Sequence, residues 1–192
     1  AALVLTACAT AGGDGPARAA AAAAVKAPAG EVAKFYPLAV GNSWTYKGKL
    51  LGQPALNRVT VTKKEGTVFH DDKGGQLRID TDGLRDRKRY LLKDPLRRGT
   101  TWMSVASVSS VERFEIIDAG RTVKVEAGAF DGCVVVRGKN RIDASKEFVT
   151  EWTYAPGVGL VRIQTFLLKE GKEYVPQGQF ELSAFELKTD PK

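Results

Sequence analysis

His70 is the only histidine of the 192-residue chain, and it stands beside two carboxylates in Thr67-Val68-Phe69-His70-Asp71-Asp72. A histidine and two aspartates could hold a cation, but neighbours on a strand point to opposite faces, so one geometry cannot easily use all three. The continuation into Lys73-Gly74-Gly75 reads better as the polar end of a hairpin. Cys133 opens the run Cys133-Val134-Val135-Val136. A nucleophilic thiolate needs a neighbouring cation, none is adjacent, and a buried, inert thiol in a central strand is the expectation. Gly157-Val158-Gly159 lacks the lysine, the Ser/Thr and the following helix of a phosphate-binding loop. No acid-base pair, triad or metal set assembles from this inventory, which predicts a protein that is not an enzyme and takes no cofactor or metal.

The most informative charges lie in Leu84-Arg85-Asp86-Arg87-Lys88-Arg89-Tyr90. Asp82-Gly83 before it is a two-residue hairpin signal, and that register pairs Thr81 with Leu84, Asp80 with Arg85, Arg78 with Arg87 and Gln76 with Arg89. One face would then carry Arg78, Arg85, Arg87 and Arg89 against Asp80 alone. Like charges directly opposite are destabilising, so the face is either fully solvated or kept for an anion. These four arginines are the candidate anion-binding residues.

The elements that must position such residues are strands. Pro37-Leu38-Ala39-Val40-Gly41-Asn42-Ser43-Trp44 returns as Pro95-Leu96-Arg97-Arg98-Gly99-Thr100-Thr101-Trp102, the same Pro-Leu-x-x-Gly-x-x-Trp spacing 58 residues later. Each copy punctuates a turn and then begins a strand with a large aromatic. Period-two runs follow at 58–62, 67–70, 76–81, 84–92, 105–117, 122–125, 133–137, 147–154, 160–168 and 180–187. In the last run the apolar phase moves from Phe180 and Leu182 to Phe185 and Leu187, which predicts a bulge. No convincing helical stretch follows Gly30. The pattern predicts an all-β domain, one antiparallel meander of about ten strands curled as a barrel or half-barrel. Trp44, Trp102 and Trp152 would suit a ligand platform or the core, and the alternation around them favours the core.

The 192-residue chain is 43% hydrophobic, enough for residues 31–192 to bury one good core, and its net charge of +7 would favour anionic partners. The N-terminus indicates which. Ala1 to Ala7 is apolar and uncharged, and Leu5-Thr6-Ala7-Cys8 resembles the lipobox of bacterial lipoproteins, in which the signal peptide is cut before a cysteine that is then lipidated. Residues 1–7 are thus read as a signal-peptide remnant and Cys8 as the lipidation site. Residues 8–30, almost all Ala, Gly and Pro after the cysteine, are read as a disordered, flexible tether. That compartment excludes nucleic acid as a partner and makes anionic envelope lipid or polymer the expected counterpart of the arginines.

The body resembles a widespread, largely uncharacterised group of bacterial secreted proteins and lipoproteins. The likeness is carried by Phe35-Tyr36-Pro37-Leu38-Ala39-Val40-Gly41-Asn42-Ser43-Trp44-Thr45-Tyr46, by Val125-Glu126-Ala127-Gly128-Ala129-Phe130-Asp131-Gly132-Cys133 and by Tyr154-Ala155-Pro156-Gly157-Val158-Gly159-Leu160-Val161. It implies an envelope β-domain and transfers no catalytic residue. The expected role is that of a lipid-anchored envelope protein, at the outer membrane facing the periplasm or at the cell surface, that binds or supports without catalysis. The alternative is a carrier of a lipid-like or amphipathic ligand in a curved sheet. A protein partner is not identified by any motif.

Overall fold

The computed structural model describes residues 30–107 and 110–188. The signal-peptide remnant, Cys8 and the tether up to residue 29 lie outside the described residues. A four-residue helix, α1 (Val32–Phe35), which the sequence does not announce, leads into twelve strands. The first six are β1 (Ser43–Leu50), β2 (Gln53–Glu65), β3 (Val68–Asp71), β4 (Gln76–Ile79), β5 (Gly83–Arg85) and β6 (Tyr90–Lys93). The second six are β7 (Thr101–Ser107), β8 (Ser110–Val125), β9 (Gly128–Arg141), β10 (Lys146–Ala155), β11 (Gly159–Lys169) and β12 (Glu173–Glu186). They hydrogen-bond into one antiparallel sheet in the order β6-β5-β4-β3-β2-β1-β12-β11-β10-β9-β8-β7, nearly closed as a barrel.

Twelve strands result because β1 adds to the ten runs and the 84–92 run is folded in two, while the second part of the 105–117 run continues through 122–125 as one strand. The 84–92 run breaks at a turn in which the Asp86 carboxylate accepts from the backbone N–H groups of Lys88 (2.7 Å) and Arg89 (2.8 Å). The 105–117 run spans the end of β7 and the start of β8. The 117–125 region is one bent strand, whose register on β9 slips three times. The expected bulge in β12 is present: Thr45 pairs with Ala184 but Tyr46 pairs with Leu182, and the Ser183 hydroxyl donates to the Thr45 carbonyl at 3.1 Å.

The repeated phrase divides the sheet into two six-stranded meanders, each entered by one copy. The two entrances make the same hydrogen bonds. Gly41 N–H donates to Val61 O and Gly99 N–H to Ile116 O, both at 2.8 Å. Val61 N–H donates back to Asn42 O and Ile116 N–H to Thr100 O, both at 2.9 Å. The Asn42 side chain donates to Pro37 O and the Thr100 hydroxyl to Pro95 O, both at 2.8 Å. Each glycine has positive φ, 93° and 89°, a backbone region that a Cβ disfavours. Trp44 and Trp102 begin equivalent strands and are 1% and 8% exposed.

The halves join through β1 and β12, while the outer edges β6 and β7 face each other without a ladder. Side chains bridge that seam: Trp102 Nε1–H donates to Tyr90 O at 3.0 Å, and the Arg89 guanidinium donates to the Glu112 carboxylate. At one end the lumen is filled. Tyr36 packs on Trp44 and Tyr154 with ring centroids 5.3 and 6.4 Å away, and α1 ties down there through Gly157 N–H to Lys34 O at 2.7 Å. Alternation puts ion pairs on the outer face, including Arg137 with Glu151 (2.6 Å) and Arg162 with Glu181 (2.8 Å), and apolar side chains on the inner one.

Candidate functional site

Below the plug of Tyr36, Trp44 and Tyr154 the inner face opens into a hollow of about 320 Å³. Its walls are Leu50 of β1, Val59 of β2, Ile163 and Thr165 of β11 and Phe180 of β12, with Trp44 and Tyr46 at its deep end. Glycines occupy inward positions here. A Cβ on Gly178 would stand 3.1 Å from Leu50 Cδ1 and 3.2 Å from Thr165 Oγ1, both of the wall, whereas one on Gly48 would meet the backbone Gln179 O at 1.9 Å, so that glycine serves the close approach of β1 and β12. Three of the polar side chains of the wall are directed into the sheet, whereas Asn57 of β2 adds an exposed amide. Tyr46 O–H donates to Leu160 O at 3.0 Å, Trp44 Nε1–H to Val158 O at 2.7 Å, and the Thr165 hydroxyl to Gly178 O at 3.3 Å. Burial raises the phenol pKa values of Tyr36, Tyr46 and Tyr154, so all three are neutral under ordinary conditions. The wall therefore offers mostly apolar contact, one amide at Asn57 and no fixed charge.

The hollow continues along the face. Trp152 is paired with Ile163 and Thr150 with Thr165, and both belong to a second recess, about 150 Å³, that runs over Gly138 to Arg89 and Glu112. A Cβ on Gly138 would lie 2.7 Å from Trp152 Cζ3, so glycine is what lets that ring rest on β9. The Arg89 guanidinium lies 5.7 Å from the Trp152 ring centroid and 6.0 Å from that of Phe114. Arg89 also faces Asp86 at 3.5 Å. The face thus grades from an apolar wall to a compensated charge cluster.

The arginines are arranged differently from the expected register. Ile79 pairs with Leu84 and Arg78 with Arg85, leaving Asp80 to Gly83 as the connection. The reason is local: the Asp80 carboxylate accepts from Asp82 N–H (3.0 Å) and Gly83 N–H (3.2 Å), which closes a wider turn than Asp-Gly alone would. Arg78, Arg85 and Arg87 come together around an outer recess of about 110 Å³, whereas Arg89 turns to the inner side. Arg78 lies 3.9 Å from Asp80, and the Arg85 guanidinium sits 5.0 Å from the Tyr90 ring centroid.

The other candidates are engaged structurally. His70 Nε2 is 3.1 Å from a Glu65 carboxylate oxygen. The Asp71 carboxylate accepts from Lys73 and Gly75 N–H and that of Asp72 from Thr60 N–H, so the three side chains do not converge. Cys133 is buried, its thiol donates to Phe130 O at 3.3 Å, and burial pushes its pKa up. Among the described residues no three His, Cys, Asp or Glu side chains form a metal-binding group, and no helix is long and apolar enough to cross a membrane.

No family model and no curated protein matches the chain. Two solved structures align with it. One is a Bacteroides fragilis protein described as a "putative exported protein with YmcC-like fold", at 15% identity and a TM-score of 0.49, over 80% of this chain and 99% of its own. The other is a "putative lipoprotein" of Parabacteroides distasonis, at 15% identity and a TM-score of 0.45, with the same coverage. Neither likeness assigns a ligand or a residue.

Ile163, Thr165 and Phe180 were not singled out by sequence reasoning. The signal was there in Gly48, Gly138 and Gly178, each inside a strand and each in phase with inward apolar residues.

Proposed function

We propose that this chain is a lipid-anchored protein of the bacterial cell envelope that binds without catalysis, and that its concave sheet face takes the apolar part of an amphipathic ligand. The observation that carries the reading is the 320 Å³ hollow, with largely apolar walls and the polar atoms of Trp44, Tyr46 and Thr165 already bonded to the sheet. Its volume falls in the range of small-molecule sites. A chain against Ile163 and Phe180 would place a polar head toward Arg89, Glu112 and Ser104, which share a further recess. The absence of catalysis is supported by what the reactive groups do: His70, Asp71 and Asp72 serve the surface and its turns, and the Cys133 thiol is buried. A second contact, with phosphate-bearing envelope lipid or polymer, is favoured by Arg78, Arg85 and Arg87 around the outer recess.

The test is a titration of the full chain with a single-chain lysophospholipid below its micelle concentration, read by tryptophan fluorescence, since Trp44 and Trp152 line the two recesses. Saturable binding is expected. An Ile163→Glu variant with an unchanged unfolding midpoint should bind at least about tenfold more weakly, a loss of about 1.4 kcal/mol. A folded wild type without a saturable response, or a variant that binds as tightly, rejects the reading.

A further inference from the structure

The four turns β1–β2, β7–β8, β9–β10 and β11–β12 all fall at the same end of the sheet, because the strands between them alternate in direction. Ten large apolar side chains are exposed among the described residues; eight of them sit in these turns or the half-strands that flank them, and a ninth, Met103, lies on β7 two residues before Val105. Leu51 is 72% exposed, Val105 71%, Met103 70% and Leu56 69%, and Ile142 and Tyr174 follow at the other two turns. The tenth, Val40, lies at the plugged end. Single exposed apolar residues need no explanation, but eight gathered toward one end do.

Leu51 makes the case sharper. Leu50 pairs with Gln53, so Leu51-Gly52 is a two-residue loop, and both residues have positive φ, 49° and 80°. Such a loop favours Asn, Asp or Gly at its first position, and a leucine there is strained. A strained side chain that is also left in water serves neither the turn nor the core. Leu50 and Phe148 link the rim to the site, since they line the two inner recesses and are still 50% and 39% exposed.

The charges at this end are not balanced. Lys146 is matched by Asp143 (3.5 Å) and Lys169 by Glu173 (4.0 Å). Among the described residues Lys49, Arg141 and Lys172 have no carboxylate partner, against Glu170 as the unmatched acid of the turns. Apolar side chains interleaved with surplus cations complement a bilayer surface that carries anionic phosphates.

We propose that the open rim docks on an anionic phospholipid bilayer, with Leu51, Met103, Val105 and Ile142 entering the interface and Lys49 and Lys172 meeting lipid phosphates. The inner hollow would then open onto the acyl layer. The docking itself does not require the hollow to be occupied, but its role in delivering or collecting a ligand rests on the function proposed above.

The experiment uses the full chain carrying Cys8→Ser, so that no acyl chain contributes, sedimented with phosphatidylglycerol-containing vesicles and with phosphatidylcholine vesicles. Wild-type rim should co-sediment with the anionic vesicles, and Leu51→Asp/Val105→Asp should reduce the bound fraction at least tenfold. Lys49→Glu/Lys172→Glu should abolish the preference for anionic lipid. Ile163→Glu should sediment like the parent, while Leu51→Asp/Val105→Asp should keep its lysophospholipid titration within twofold. Equal sedimentation of the parent and the rim variant overturns the proposal, as does a parent that binds neither vesicle. A concentration-dependent dimer that Leu51→Asp/Val105→Asp dissociates, without vesicle binding, also overturns it and assigns the rim to a second copy of the chain.

Discussion

Trp44 and Trp102 occupy matching positions, yet they do different work. Trp44 is sealed in the plug with its indole N–H on Val158 O, whereas Trp102 stacks on Phe114 at 5.3 Å and reaches across the open seam to Tyr90 O. Replacing Trp44 by Ala should lower stability by about 3 to 5 kcal/mol. Trp102→Phe retains an aromatic ring over Phe114 but gives up the seam bond, and should cost about 1 kcal/mol. Urea unfolding of both variants measures this, and wild-type midpoints for the pair would show that the repeated phrase contributes no core. The equivalence was legible because a Pro, a Gly and a Trp at fixed spacing determine the turn, the positive φ and the buried ring together. The unequal partners of the two rings were not legible, since Val158 sits in the β10–β11 turn 114 residues from Trp44, and Tyr90, although only 12 residues from Trp102, is reached across the open seam and not along a ladder.

Among the elements, the hairpins show where local reading stops. Asp82-Gly83 alone specifies a tight turn, but Asp80 competes by offering its carboxylate to two backbone N–H groups, and Asp86 does the same one strand later. Both devices shift the arginines, so three gather on the outer face and Arg89 goes inside. The hollow was less legible still. Gly48, Gly138 and Gly178 read one at a time as strand breakers, and only the register shows that they face one lumen. The β1–β2 hairpin offers a direct measurement. Leu51→Asn suits a loop with positive φ at both residues and should raise stability by about 0.5 to 1 kcal/mol. The same change should weaken vesicle sedimentation. A variant that is neither more stable nor weaker on vesicles would show that Leu51 has no special place in the turn or at the rim.

For the whole molecule the anchor comes first. If Cys8 is the lipidated mature N-terminus, fractionation of cells making Cys8→Ser should find the protein released or unprocessed and without the added lipid mass, and normal membrane retention of that variant rejects the anchor. The anchor and the plug together constrain how the body can stand. The described chain enters at α1, against Tyr36 and the Gly157 turn, so the body would be leashed by its plugged end and its open rim would point away from the attachment. Residues 9–30 can reach at most about 70 to 80 Å when fully extended. The fourteen residues of β9 rise only about 46 Å. A leash longer than the body is tall allows it to capsize and lay its rim on the membrane that holds it, or to stay upright and touch whatever lies opposite. A leash of half that length would be shorter than the body and would forbid the first posture, so with such an anchor the number of residues between Cys8 and Gly30 would set which surfaces the rim can visit.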